Sequence, residues 1–437
     1  MLAKSGLFRR AGLDFAADSC SIGSDCTLVA EKYVKISDVT TFVVANPPPQ
    51  TGGRYFLFVK LTTDGGVIGY GEAYDAAFDP HLTAKLIEDV AARYLVGRDP
   101  HDIETFFRLC YSSGFSQRPD MTMMACTSAL EMACWDIIGK EAGKPVHKLI
   151  GGRVHEGLRS YTYLYPATGS ADPLATDSKT NVYNDPDLAA EAAIEAVRQG
   201  FTAVKFDPAG PYRVQGGHQP LLTDIDLSAR MVHAVREAVG TKADILFGTH
   251  GQFTAAGAIR MARAIEAADP LWFEEPVPPD QVGAMAEVAR ATSIPVAAGE
   301  RLVSKVEFAR LIEARAAAIL QPNLGRSGGL LETKKIAGMA EAFGIQIAPH
   351  CYCGPLVAAA NIQLAATLPN FLVLESIKTW DGFYAEVLKE KIRWEDGYVI
   401  PSDEPGLGVE LDEAVCAANP WSGDKLHLEM TREPIRF

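Results

Sequence analysis

The sequence predicts an α/β fold, a (β/α)8 barrel of the TIM type preceded by a smaller α+β domain. Three observations carry this expectation. Between Leu271 and His350, polar residues close short apolar runs of strand character: Glu274 and Glu275 in LWFEEPV, Glu300 in PVAAGE, Asn323 in ILQPN and His350 in IAPH. They recur roughly every 25 residues, the length of one strand-plus-helix unit of a parallel barrel. Eight such runs can be counted, at 159–164, 203–207, 245–250, 271–276, 295–300, 318–323, 346–351 and 371–376. Eight strands close a barrel of this type, and residues at their C-terminal ends converge on one mouth. The chain is also long enough, at 437 residues with 48% hydrophobic, to bury a barrel and a second domain.

Residues 1–32 carry Arg9 and Arg10 but no continuous apolar core before Ser19, so a weakly ordered extension is expected and not a signal peptide. Strand patterns begin with ISDVTTFVV, and YFLFVKLTT returns through a DGG turn as VIGYGEAY, giving a small antiparallel sheet. The loop 48–54 between the first two strands is a place where specificity is expected. Helices follow at 80–94, 102–111 and 121–142. In the last, Ala125, Ala129, Ala133 and Ile137 recur every fourth residue and make a close-packing face, and Asp136 and Lys140 form an i,i+4 pair. Gly143, Pro145, Gly151 and Gly152 mark a break, which separates a domain at 33–152 from a barrel at 153–384. Alanine-rich helices at 187–199, 225–239, 255–268 and 332–343 lie between barrel strands. A Gly/Pro-rich insertion, AGPYRVQGGHQPLLTD, lengthens the second unit at the active face. The segment IRWEDGYVIPSDEPGLGVELD reads as a hairpin that returns to the first domain's sheet.

A net charge of −14 argues against nucleic acid or an anionic membrane as the partner. An acidic protein handling an acidic substrate needs local positive charge, which a divalent metal can supply. The eight cysteines lack CxxC spacing, and Cys351 and Cys353 alternate with Tyr352 across strand faces, as expected of reduced thiols in a cytoplasmic protein. No apolar run approaches the roughly 20 residues of a membrane helix.

The segments ALEMACWDIIGKEAGKPVHKLIGG, WFEEPV, IPVAAGER, ILQPNLGRSGGLLETKKIAGMAEA and APHCYCGP resemble the enolase superfamily, and within it the mandelate racemase-like sugar-acid dehydratases of the galactonate dehydratase type. The resemblance runs from about Lys35 to near the C-terminus. It implies a modified (β/α)8 barrel under an α+β capping domain built from both chain ends, 33–152 completed by about 385–437. It also implies Mg²⁺, a small acid-sugar substrate and a homo-oligomer between dimer and octamer. The chemistry has a physical reason. A proton beside a carboxylate is a very weak acid, so its removal needs an electrophile that neutralises the enediolate as it forms. Mg²⁺ prefers hard oxygen ligands and suits carboxylates on adjacent strands.

By this resemblance Glu274 and Glu300 are metal ligands. The family's third ligand, an aspartate ending the third strand, is replaced by Gly248, and Asp207 on the neighbouring strand is the first substitute. His250 matches the acid that protonates a departing hydroxyl, and His350 the base that takes the α-proton. Asn323 stands where an aspartate normally orients that base. It can hold the ring by a hydrogen bond but adds no charge, so His350 is expected to be a weaker base. Glu375 matches a glutamate that binds a substrate carboxylate oxygen. Lys205 matches the first lysine of a KxK motif whose second position is Asp207, which disfavours a two-base racemase; Lys205 could instead pair with Asp207. The implied reaction is Mg²⁺-dependent dehydration of a sugar acid to a 2-keto-3-deoxy acid. Its alternatives are a cycloisomerase or epimerase of an anhydro- or lactone-type sugar acid, and a sugar-acid-binding protein without metal chemistry, which Gly248 favours. Besides the loop 48–54, specificity is expected in the insertion at 212–218.

Overall fold

Three antiparallel strands open the fold in the order β1 (Ile36–Ala45), β2 (Tyr55–Thr63) and β3 (Ile68–Ala73), the last two joined across the expected Asp64–Gly66 turn. The computed structural model describes residues 34–74, 79–112, 120–165, 182–209 and 216–427. The extension expected at 1–32 and most of the 212–218 insertion lie outside the described residues. Helices α1 (Pro80–Tyr94), α2 (Ile103–Ser112) and α3 (Met121–Glu141) cover the sheet. The small-residue face of α3 lies directly on β3, because a side chain on Gly69 or Gly71 would overlap the carbonyl oxygens of Ala133 and Ala129. Asp136 pairs with Lys140 at 2.8 Å and also accepts the N–H groups of Tyr70 and Leu407, at 2.9 and 2.8 Å. One buried carboxylate thereby ties α3 to β3 and to the C-terminal segment.

After a short helix α4 (Val146–Leu149), eight parallel strands follow: β4 (Leu158–Tyr163), β5 (Ala203–Phe206), β6 (Asp244–Gly248), β7 (Trp272–Glu274), β8 (Val296–Ala298), β9 (Ile319–Leu320), β10 (Gln346–Ile347) and β11 (Leu374–Ser376). Each pairs with the next up to β10, β11 pairs with β4, and a parallel bridge from Ile347 to Phe371 closes the circle. Several ladders are shorter than the apolar runs. Pro322 and Pro349 have no N–H to donate, so the ladders of β9 and β10 stop before Asn323 and His350, whereas Glu274 is the last paired residue of β7, two before Pro276.

Helices α5 (Pro186–Gln199), α6 (Leu222–Val239), α7 (Ala255–Ile265), α8 (Val282–Ala291), α9 (Ser304–Ala314), α10 (Gly329–Ala342) and α11 (Pro355–Ala365) surround the strands. The outward strand residues Phe206, Phe247 and Phe273 belong to the main apolar core with the helices. Inside the barrel one residue from each strand or its continuation forms a separate layer: Tyr161, Ala203, Leu246, Trp272, Ala297, Ile319, Ala348 and Val373. Two large rings, Tyr161 and Trp272 in edge contact at 5.4 Å, are balanced by three alanines.

Two carboxylates from the first domain close helix ends of the barrel. Glu72 on β3 accepts N–H groups of Gly354, Leu356 and Val357 at 2.5, 3.1 and 2.9 Å, and Glu131 on α3 accepts those of Leu330 and Leu331, both at 2.8 Å. They meet the positive N-terminal ends of α11 and α10.

The C-terminal hairpin differs from expectation. After α12 (Phe383–Glu386), strand β12 (Trp394–Glu395) pairs with β13 (Tyr398–Val399), and β13 pairs with Leu158 and Arg159 of β4, not with the first sheet. These two residues precede the barrel pairings of β4, and β13 satisfies their backbone groups. The first sheet is reached farther on, by α13 (Glu413–Ala418), whose Glu413 pairs with Lys60 at 2.7 Å, and by a bridge from Val44 to Pro420. Cys351 and Cys353 likewise lie in the loop after β10 and not on a strand; the six cysteines among the described residues are free and buried. No helix among the described residues is long and apolar enough to cross a membrane.

Candidate active site

Strand alternation builds the site from the apolar layer upward. Two residues beyond Ala203, Leu246, Trp272, Ile319, Ala348 and Val373 stand Lys205, Gly248, Glu274, Gln321, His350 and Glu375; two further on three of these runs come Asp207, His250 and Asn323. At β8 the alternation breaks at Gly299, whose φ of +137° is open to glycine, and the following Glu300 joins the cluster.

Lys205 pairs with Glu274 at 2.5 Å, not with Asp207, and Gln321 Nε2 donates to the second Glu274 oxygen at 2.8 Å. Both charges are fully buried. Burial alone would pull the Lys205 ammonium down, but Glu274, Glu375, Asp207 and Glu300 carry it well above the ordinary lysine range. Lys205 is therefore a fixed cation and not a base near neutral pH.

Glu300 lies between the two histidines. His350 Nε2 is 3.0 Å from its Oε2, and His250 Nε2 is 3.7 Å from its Oε1. Burial would raise the Glu300 carboxyl, yet His350, His250 and Lys205 hold it well below the usual carboxylate range. The effect is mutual at His350, where burial is outweighed by Glu300 and Glu375 and the imidazole is raised. Glu375 is pinned by the Cys351 N–H at 2.6 Å and reaches within 3.9 Å of His350 Nε2. His250 sits at φ +47°, an uncommon conformation, in a turn held by Thr249 Oγ1 and Gly251 N–H, which donate to the Glu275 carbonyl at 2.6 Å each. The Glu275 side chain leaves the cluster and pairs with Arg301 at 2.7 Å.

Asn323 Nδ2 lies 2.8 Å from His350 Nδ1, and Asn323 Oδ1 accepts the Gly325 N–H at 2.8 Å. A backbone N–H can only donate, so the amide oxygen must face Gly325 and the amide NH₂ must face the ring. Nδ1 is then an acceptor, and the neutral ring carries its proton on Nε2, toward Glu300.

The ligand atoms of His250, Glu274 and Glu300 lie within 4.8 Å of one another. Asp207 is not in this tightest group; it stands beside it, Oδ2 being 3.6 Å from His250 Nδ1 and 3.3 Å from the Tyr163 hydroxyl. Its Oδ1 is buried without a hydrogen bond among the described residues. A Cβ built on Gly248 would overlap that same Oδ1 atom. The carboxylate of residue 207 thus fills the space in which a side chain at 248 would begin, and the two departures noted in the sequence are one exchange. A set of three carboxylates, two of which carry a buried oxygen without a hydrogen bond among the described residues (Asp207 Oδ1 and Glu300 Oε2), suits a hard divalent cation.

Sequence reasoning missed Gln321, although its place two residues before Asn323 puts it on the inward face. It also missed Tyr74, whose ring is 5.8 Å from that of His350, and His427, 5.4 Å from Tyr74. The approach of β3 and the C-terminal segment to the mouth leaves no local signal.

Residues 39–151 match the mandelate racemase / muconate lactonizing enzyme N-terminal domain, and residues 187–415, more than half of the chain, match the enolase C-terminal domain-like family. The chain belongs to the mandelate racemase/muconate lactonizing enzyme family, within the enolase superfamily. A family member from Labrenzia alexandrii shares 63% identity and superposes with a TM-score of 0.88, covering 91% of this chain and all of that one. The D-galactonate dehydratase of Ralstonia nicotianae is 34% identical over 87% of this chain and 93% of its own. The D-xylonate dehydratase of Haloferax volcanii is 31% identical over 90% of each. Enzymes of this family are typically Mg²⁺-dependent, and the fold is the family's capped α/β barrel.

Proposed function

We propose that the chain is a Mg²⁺-dependent hydro-lyase that dehydrates a sugar acid to a 2-keto-3-deoxy acid through an enediolate. One observation carries this: two histidines from different strands flank Glu300 at 3.0 and 3.7 Å. Dehydration needs two proton-transfer groups, one for the α-proton and one for the departing β-hydroxyl. The D-galactonate and D-xylonate dehydratases among its relatives support the reading. Mg²⁺ held by Glu274, Glu300 and Asp207, beside His250, would neutralise charge developing on the substrate carboxylate. Lys205 and Gln321 orient Glu274. Glu375, held by the Cys351 N–H, keeps Oε1 without a hydrogen bond among the described residues, and that oxygen is assigned to the substrate's carboxyl end. His350 is assigned the C2 proton, which Nε2 accepts in the tautomer that carries its proton on Nδ1, and His250 the C3 hydroxyl. Residues 33–152 form the cap, joined by the C-terminal segment from α13 onward, while 153–384 form the catalytic barrel, to which the hairpin β12–β13 is attached, and the assembly is a homo-oligomer.

The Asn323 amide favours a second reading, a cycloisomerase or epimerase of an anhydro- or lactone-type sugar acid. Asn323 adds no negative charge of its own, and the imidazolium that Glu300 and Glu375 favour can return its Nε2 proton to the enediolate carbon, leaving a neutral ring. A binding protein without metal chemistry is the weaker reading, because Asp207 restores a carboxylate beside Gly248.

The test is incubation with Mg²⁺ and a panel of hexonates, pentonates, aldarates and anhydro-sugar acids in D₂O, followed by proton NMR. A new C3 methylene with loss of the C2 proton is the expected result. C2 exchange or a rearranged ring without keto acid selects the second reading, and retention of every C2 proton overturns both.

A further inference from the structure

A buried cation without a counter-charge is costly, so it marks either strain or a missing ligand. Arg326, 4% exposed, is such a cation. Its guanidinium lies 3.8 Å over the Tyr74 ring, Nη1 contacts Met121 Sδ at 3.1 Å, Nε has no hydrogen bond, and no carboxylate pairs with it among the described residues. The ring face offsets only part of its desolvation. Lys205, by contrast, is matched by Glu274, and Glu332 by Lys305.

Arg326 stands in the turn after Asn323, and Tyr74 is the ring between it and His350, 5.8 Å from the latter. A second unsatisfied donor or acceptor lies on the same ring. His427, also 4% exposed, packs 5.4 Å from Tyr74, and its Nδ1 is buried without a hydrogen bond among the described residues. The backbone of Gly53 seats this histidine, since a side chain there would overlap it, and Arg54 of the same loop bonds the Leu426 carbonyl at 2.6 Å. Burial, then Arg326, Arg54 and His350, push the His427 imidazole down to about 3, as a positive local potential requires. Glu300 and Glu375 thus face His350 Nε2, while the Tyr74 ring near the same imidazole carries the Arg326 guanidinium on its face and His427 at its edge.

We propose that Arg326, with His427 and Tyr74, binds a second anionic group of the substrate, so that the substrate class is sugar diacids of the aldarate type. A planar guanidinium receives a carboxylate through two parallel hydrogen bonds and gives Arg326 its missing partner. The sugar-acid identity of the substrate rests on the function proposed above; the anion site itself does not require turnover.

The test is calorimetry of the full-length, Mg²⁺-loaded protein with two unreactive six-carbon probes, adipate and its monomethyl ester. Wild type is expected to bind the diacid about tenfold or more tightly than the monoester, Arg326→Met to lose that preference, and Arg326→Lys to recover part of it. If R326M does not fold, the wild-type ratio and R326K decide. Equal binding of the two probes by wild type, or equal weakening of both by R326M, overturns the proposal. Diacid preference without loss of any C2 proton in D₂O keeps the anion site and rejects the dehydratase reading. Turnover of aldonates with no diacid preference does the reverse.

Discussion

Asn323 offers its NH₂ to His350 Nδ1 at 2.8 Å because the Gly325 N–H holds its oxygen, and so it sets which nitrogen of the ring carries the proton. An aspartate in the same place would accept from Nδ1 and leave a lone pair on Nε2.

Asn323→Asp is accordingly expected to raise the rate of α-proton exchange by about tenfold or more, the lower range for general-base effects. The added negative charge favours the imidazolium, so the acidic limb of the pH–rate profile, where the base is protonated, moves to higher pH. Deuterium incorporation at C2, followed by NMR across pH, measures both. An unchanged rate would remove the amide from the control of His350.

The Lys205–Glu274 pair predicts a strong stability effect. Lys205→Met leaves a buried carboxylate uncompensated and is expected to cost about 3–5 kcal/mol in chemical denaturation of the metal-free protein. The double variant with Glu274→Gln should lose less than the sum of the two single changes. Simple additivity would show that the 2.5 Å contact is not the source of the loss.

Gly248 and Asp207 predict a reciprocal rescue. Gly248→Asp places a side chain on the Asp207 carboxylate and should weaken Mg²⁺ binding about tenfold or more by calorimetry, while adding Asp207→Gly should restore it. Failure of the double variant, with native circular dichroism, would mean that the two carboxylates do not share one role.

Glu72 and Glu131 predict a pH dependence of stability. Burial pushes their carboxyls up to about 8 and about 7, against the pull of the backbone N–H groups they accept. A folded-state value above the unfolded one means that the folded protein holds more protons between about pH 4.5 and 8. Stability from these groups is therefore full below about 4.5 and is lost as pH rises through 7 and 8. Thermal unfolding should show a decline across that window, and Glu72→Gln with Glu131→Gln should flatten it.

The barrel and much of its mouth were legible in the sequence because both follow from local rules. Alternation puts every second strand residue inside, and repeated strand–helix units bring strand ends to one face. This is why Glu274, Glu300, His250, His350, Asn323, Glu375, Lys205 and Asp207 all emerge at the C-terminal ends of barrel strands. Partner choice was decided only in three dimensions. Whether Lys205 meets Asp207 or Glu274, whether Asp207 reaches the space beside Gly248, and which face Asn323 turns to His350 depend on strand stagger, barrel curvature and single backbone N–H groups. The hairpin at β12 and β13, and the arrival of Tyr74, Arg326 and His427 at one place, depend on segments hundreds of residues apart. No periodicity connects such segments; packing alone brings them together.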